Sequence, residues 1–263
     1  MTVNTPSGSS LATETVVFAG RLLTEWRRQP AVLIQSLVFP TFLLITYKVL
    51  VGKSIMRITG TDSIYGLVPM CAVAGAMFGT IVAARTIPFE RDTGMIGRLW
   101  VLPVKRASAM TGRLLAEAAR TLVSTVLITA VGVGLGLRFK GGWLAVIPFL
   151  LVPVLIAVVF ATGVIAIAVR SKTGAVLSWL AVPSIGSVFS SSGVVPAENL
   201  PSAVRLQMHL QPMWPTIESM RALAQGDPAL WPLFLTMVWA LGLAAVITPL
   251  AVRGYRAAAE TPH

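Results

Sequence analysis

The sequence predicts an all-α polytopic membrane protein with six transmembrane helices, and three observations carry that reading. Hydrophobic residues make up 55% of the 263 positions and charged residues only 12%, with a mean hydropathy of +0.79; a soluble domain carries about 25% charge. Windows of about 20 residues, the length that crosses a hydrocarbon core of roughly 30 Å, recur almost free of charge. These windows are apolar on every side, as helices in a membrane bundle are, whereas barrel strands would alternate apolar and polar residues over about ten positions.

Residues 1–10 are small and polar and read as a flexible N-terminus; no basic start leads into an apolar run, so no cleavable signal peptide is expected. Over 11–30, Leu11, Thr15, Phe18, Leu22 and Trp26 recur at helical spacing, opposite Glu14, Arg21, Glu25 and Arg28. This segment reads as an interfacial helix, or as an amphipathic helix packed on protein, with Pro30 marking the turn into the first span. The spans are expected at 31–51, 64–84, 114–137, 143–169, 174–192 and 230–252, within a transmembrane domain of residues 31–256. Residues 257–263 read as a flexible C-terminus.

With the N-terminus inside, Arg21, Arg27, Arg28, Arg85, Arg91, Arg98, Lys105, Arg106, Arg113, Arg170, Lys172, Arg253 and Arg256 fall on the cytoplasmic side. They outnumber Lys48, Lys53, Arg57, Arg138, Lys140, Arg205 and Arg221 outside, so both termini are expected in the cytoplasm of a cell bounded by this inner, or plasma, membrane. Two connections are long enough for structure of their own: 85–113 inside and 193–229 outside. In the outer one, Pro215-Thr216-Ile217-Glu218 resembles a helix start, with Ile217, Met220 and Ala224 on one face and Gly226 near the end, which suggests a re-entrant helical segment.

Composition also excludes classes of function. The net charge of +11 is scattered between spans and is read as topology, not as a nucleic-acid surface. Cys71 is the lone cysteine and His209 and His263 the only histidines, so no metal centre is expected. Val51-Gly52-Lys53-Ser54 imitates the end of a phosphate-binding loop, but Tyr47 stands where its first glycine belongs. No ATP site or other cofactor site is therefore expected in this chain. Gly75 and Gly79, like Gly132 and Gly136, lie four apart and are expected to let helices approach closely. Glu117 and Arg120 are expected in the first turns of the third span, paired at i,i+3 and reaching the interface. No span carries Asp, Glu or His near its middle, Glu117 and Arg120 coming closest, and no nucleophile has a convincing base, which argues against a proton-coupled carrier and a hydrolase.

The segment from Pro88 to Ser108 begins with Glu90, Arg91 and Asp92, continues with apolar Met95, Ile96, Leu99, Trp100 and Leu102, and is bounded by Pro88 and Pro103. Such a helix is either a passive interface element or a lever gripped by another protein. Here the chain resembles the permease subunits of ABC-2 type exporters: Glu90, Gly94, Leu99, Pro103 and Val104 fit the spacing of that family's first cytoplasmic loop. Within it, Arg98-Leu-Trp-Val-Leu-Pro-Val-Lys-Arg-Ala-Ser108, Arg113 to Phe139, and Gln211-Pro212 with Arg221-Ala-Leu and Gly226 look most like the daunorubicin-resistance-type (Drr) permeases of mycobacteria and actinomycetes.

The resemblance implies a six-helix half-transporter that pairs with a second permease and with two copies of a separate ATPase subunit, which would bind ATP and Mg. It implies that a coupling helix in the 85–113 loop sits in a groove of the ATPase, with Glu90 and Arg91 as polar contacts, Gly94 allowing close approach, and Leu99 and Pro103 completing the loop signature. The expected cargo is hydrophobic, with a phthiocerol-type or related envelope lipid preferred over a hydrophobic drug or antibiotic. A structural or assembly subunit and a passive channel stand as alternatives. Met77, Phe78 and Phe189 on the second and fifth spans are substrate-path candidates, and core packing also explains each of them.

Overall fold

The computed structural model of the chain describes residues 10–93, 106–171, 175–191 and 202–260, and every regular element among them is helical. Helix α1, Leu11–Arg27, is capped by Ser10, whose Oγ accepts the Thr13 N–H at 3.2 Å. Then α2, Pro30–Leu33, passes through a π-helical segment, Ile34–Val38, into α3, Phe39–Thr59. Helices α4, Ile64–Ala83, and α5, Thr86–Asp92, follow, then α6, Arg106–Gly134. A 3₁₀ turn, Trp143–Ala145, opens α7, Val146–Ala168. The chain closes with α8, Ala175–Phe189; α9, Ser202–His209; α10, Met213–Gln225; and α11, Leu230–Glu260.

Among the described residues, five helical runs are long and apolar enough to cross a membrane: Pro30–Arg57, Ile64–Glu90, Ala107–Gly134, Trp143–Ala168 and Leu230–Gly254. Within the fifth expected span, 174–192, the described residues hold the apolar helix α8. The third expected span, 114–137, begins earlier than its apolar window, at Arg106, because the charged residues that interrupt the window find partners inside the bundle.

Helix α4 is the axis. Every residue of it except Phe78 is buried, and α3, α6, α7, α8 and α10 pack around it. Its small residues make that crowding possible: a Cβ on Gly75 would lie 2.7 Å from Pro40 Cγ. Gly132 of α6 plays the same part, with Val68 Cγ2 2.6 Å from where its Cβ would be. Gly136 does not share that face as expected. It lies beyond the end of α6 with φ +113°, a turn conformation that glycine adopts without a Cβ clash.

Pro40 also organises the π segment. Lacking an N–H, it leaves the Ser36 carbonyl four residues earlier without its helical donor. Ser124 Oγ of α6 donates to that carbonyl at 2.6 Å, while Ser36 Oγ donates to Val32 O at 2.5 Å. The irregular turn is thus closed by a neighbouring helix.

Helix α1 lies along α6 and buries Glu14, Ala19, Leu22 and Trp26, while Val16 and Val17 are exposed. Its contact face is rotated from the expected stripe: Leu11 is exposed and Ala19 takes its place. The approach is close at Gly112, where a Cβ would sit 2.5 Å from Phe18 Cβ, and Thr15 Oγ1 lies 2.9 Å from Thr111 Oγ1.

At the other end of the bundle, Lys48 of α3 is paired with Asp62. Tyr65 Oη donates to Arg138 O at 3.2 Å, and the Lys140 Nζ stands 5.2 Å from the Tyr65 ring centroid. The Lys140 N–H donates to Ala224 O at 3.0 Å, and Gly226, with φ +80°, ends α10 so tightly against Gly141 that a Cβ would meet Gly141 N at 2.9 Å. The α10 face expected from the sequence, Ile217, Met220 and Ala224, is fully buried.

Two measurements test these ties. Ser124→Ala removes the donor to a buried carbonyl, a loss of about 1–3 kcal/mol, so thermal unfolding in detergent should shift down by roughly 2–4 °C per kcal/mol; an unchanged Tm would refute the account of the π segment. Burial pulls the Asp62 carboxyl upward, but hydrogen bonds from Lys48 and the Ile64 N–H, with the Lys48 charge, hold it below its ordinary value of 3.8. A lowered folded pKa means that this tie stabilises above pH 3.8 and is lost as pH falls through the lower folded value. The stability difference between wild type and Asp62→Asn should therefore persist at neutral pH and close only in stronger acid.

Candidate functional site

Arg113, Glu117 and Arg120 stand at i, i+4 and i+7 on α6 and so share one face. That face meets α4 and α5. Arg120 Nη2 donates to Glu117 Oε2 at 2.7 Å, to Ala76 O at 3.1 Å and to Thr80 Oγ1 at 3.2 Å, and Nε donates to Glu117 Oε2 at 3.2 Å. Thr80 Oγ1 lies 3.0 Å from the same carboxylate oxygen. The two charged side chains are 6% and 4% exposed. Contrary to the sequence expectation, this pair does not reach an interface from the first turns of a span. It lies a third to halfway along α6 and is sealed against the axis helix, because eleven further residues of helix precede Glu117.

Gly79 makes room for it. A Cβ there would stand 1.8 Å from Arg120 Nη1 and 2.5 Å from Cζ. The small-residue pattern on α4 therefore serves two neighbours, Pro40 at Gly75 and a guanidinium at Gly79. An isolated charge inside a bundle is costly, and opposite charges with bonds to Thr80 and a carbonyl remove most of that penalty.

One turn toward the α5 end lies a second pair. Arg113 Nη2 donates to Glu90 Oε2 at 2.5 Å, and both residues are buried. A cavity of about 10 Å³, lined by Thr80, Arg113, Glu117, Ala161 and Ile165 among others, separates the two pairs; it has room for about one water molecule. The polar face of α6 thus runs from α5 to the middle of α4.

Of the coupling residues expected from the sequence, Glu90 points into the bundle and is held by its own chain. Arg91 is part of α5, and its side chain lies outside the described residues, as do Gly94, Leu99 and Pro103. Helix α5 starts at Thr86, so Pro88 sits in its first turn and does not precede it. Its neighbour Phe89 is 68% exposed. Phe89 borders a groove of about 410 Å³ lined by Arg21, Glu25, Gln29, Gln35 and Arg85 from α1, the π segment and the α4–α5 corner. Arg113 was not singled out by the sequence reading, although its i,i+4 spacing to Glu117 was a signal.

The three substrate-path candidates do not converge. Met77 lines a cavity of about 380 Å³ between α4, α7, α8 and α11. Phe78 packs on Phe39 with ring centroids 5.4 Å apart, and Phe189 stacks on Tyr47 at 6.0 Å. Both rings consolidate the seam with α3.

A bundle of membrane-length helices, with charges paired inside it and a short helix folded back against one end, defines an integral membrane protein. Its residues 53–253 match the sequence model of a family described as "ABC-2 family transporter protein", and the chain belongs to that family of transporter permeases. It is 33% identical over 246 residues, 93% of this chain and 89% of the relative, to a Mycobacterium tuberculosis protein named "Probable doxorubicin resistance ABC transporter permease protein DrrC". It is 24% identical over 256 residues, 95% of this chain and 89% of the relative, to the "Daunorubicin resistance ABC transporter permease protein DrrB1" of Streptomyces coeruleorubidus.

Gly79→Ala should push the Arg120 guanidinium off Glu117 and cost about 3–5 kcal/mol, the usual loss when a buried pair is broken. In a Glu117→Leu/Arg120→Met background, where no guanidinium fills that space, the same change should cost little. Equal losses in the two backgrounds, by thermal unfolding in nanodiscs, would contradict the role given to Gly79.

Proposed function

We propose that the chain is one permease half of an ATP-driven exporter of a hydrophobic molecule, and that α5 is the lever through which a separate ATPase moves it. The observation that carries this reading is the Glu90–Arg113 pair, which ties α5 to the polar face of α6. Phe89 on the same short helix faces outward. A partner that grips the outer side of α5 would pull on α6, and through Glu117, Arg120 and Thr80 on α4, as a rigid body.

Family membership supports work with ATPase subunits, which would bind ATP and Mg. The proposed assembly has two ATPase copies and a second permease, with α1, α5 and both termini of this chain on the cytoplasmic side of the inner membrane. The run of Arg21, Arg27, Arg28, Arg85 and Arg253 at or beyond that end supports the orientation. The relatives' names favour a hydrophobic drug such as doxorubicin or daunorubicin as cargo. A complex envelope lipid is the second reading, favoured by the absence of charged side chains from the walls of the 380 Å³ cavity among the described residues.

The coupling role is tested in a complex reconstituted with the ATPase and the partner permease. Glu90→Gln weakens a charge-assisted bond worth about 1.5–3 kcal/mol, so ATP-driven cargo movement should fall about tenfold or more while the ATPase still copurifies. The swap Glu90→Arg with Arg113→Glu should restore much of it. Transport unchanged in Glu90→Gln would overturn the coupling assignment. Comparing ATP-dependent movement of an anthracycline with that of an extracted envelope lipid decides the cargo.

A further inference from the structure

The two buried ion pairs leave a donor unanswered where they come closest. Arg113 Nη2 is bonded to Glu90, but Arg113 Nη1 is buried without a hydrogen-bond partner among the described residues. The side chain is 9% exposed, so bulk water does not serve that N–H, and a guanidinium cannot shed the proton to escape the cost of leaving it unmet. One turn along α6, Glu117 has the opposite surplus. The hydrogen bonds to its carboxylate, from Thr80 and twice from Arg120, all fall on Oε2, which leaves Oε1 able to accept.

Both residues line the cavity of about 10 Å³, with Thr80 as a third polar wall and Ala84, Ile87 and Ile165 among the apolar ones. Its size admits about one water molecule, and a buried water needs two to four polar partners. Charge decides against an ion. An anion would meet Arg113 but stand against the Glu117 carboxylate, and a metal cation would meet Glu117 but stand against the guanidinium, in an interior that screens neither repulsion. The cluster is also balanced already, since Glu90 and Glu117 offset Arg113 and Arg120. Water can accept from one neighbour and donate to the other.

We propose that this cavity is the site of one resident water, which accepts from Arg113 Nη1 and donates to Glu117 Oε1. It joins the Glu90–Arg113 and Glu117–Arg120 pairs into one hydrogen-bonded network running through α5, α6 and α4, with Ala161 and Ile165 of α7 closing the site. Occupancy does not depend on the export reading; only its consequence does, a firmer link between the lever helix and the axis helix.

The test uses the full chain assembled with its ATPase and partner permease in nanodiscs, exposed to a brief synchrotron X-ray pulse that turns water into hydroxyl radicals. Ile87 and Ile165 are 1% and 2% exposed, so radicals from bulk solvent miss them, whereas a water in the cavity oxidises them in place. Peptide mapping should find Ile87 and Ile165 oxidised at least about tenfold above Ile128, which is equally buried and does not line the cavity. Ala161→Val fills the space and should remove most of the Ile87 signal; Ile165→Phe is a second filler with the same expectation. Oxidation of both isoleucines no higher than that of Ile128 overturns the proposal, as does an Ile87 signal unchanged in both correctly assembled variants. An Ile87 signal suppressed in chloride and regained in gluconate would also overturn it, by assigning the cavity to a halide. Because the readout is oxidation, unchanged transport in Glu90→Gln with Ile87 still labelled would sink the proposed function and leave this water in place.

Discussion

The buried Arg120–Glu117 pair is the constraint around which the rest of the bundle is arranged. A guanidinium in an apolar interior must have its donors met and its charge balanced where it stands. Here Glu117, three residues before it, balances the charge, Thr80 and the Ala76 carbonyl across the helix seam accept from Nη2, and the missing side chain of Gly79 makes room, while Nη1 is buried without a hydrogen-bond partner among the described residues. Those partners fix both the rotation of α6 and its height on α4. Once α6 is set, Arg113 is presented one turn nearer the end, where Glu90 closes on it and brings α5 into line. Three elements are thus aligned by polar bonds as well as by packing, in a solvent where helix association has weak hydrophobic drive.

The two ends of the bundle are fastened by different means. At one, the α6–α7 connection and the end of α10 meet through backbone, with Gly141 against Gly226 and Lys140 bonded to Ala224. Two glycines in such contact leave little latitude for sliding. At the other, α1 covers α6 through Gly112, Thr15 and the buried Trp26, while α5 is joined by an ion pair. A bond between side chains can stretch and re-form, whereas backbone stacked on backbone cannot do so without moving a whole helix.

The hydropathy of the chain made the spans legible, because length and apolarity are local properties that each window carries alone. The start of α6 was not legible: whether Arg113, Glu117 and Arg120 end a span or lie within it depends on partners 23 to 44 positions away. Glu90 shows the same limit. Its place in a loop pattern indicated a helix that matters, but whether it faced outward or inward rested on Arg113, which no local spacing connects to it. The small residues of α4 were readable as close-packing positions, yet not that one would admit a proline and another a guanidinium. Gly136 was misplaced because a four-residue spacing says nothing about where the helix stops.

The π-helical segment ahead of Pro40 has a further consequence. Each residue of a helix turns the chain by about 100°, and this segment accommodates the surplus within five residues, from Ile34 to Val38. Its carbonyl at Ser36 is already provided for by Ser124, so the irregularity is built into the seam with α6. Because the wider turn absorbs the extra residue, the helices on either side keep their faces, and the N-terminal arm stays on the surface that Trp26 and Leu22 cover.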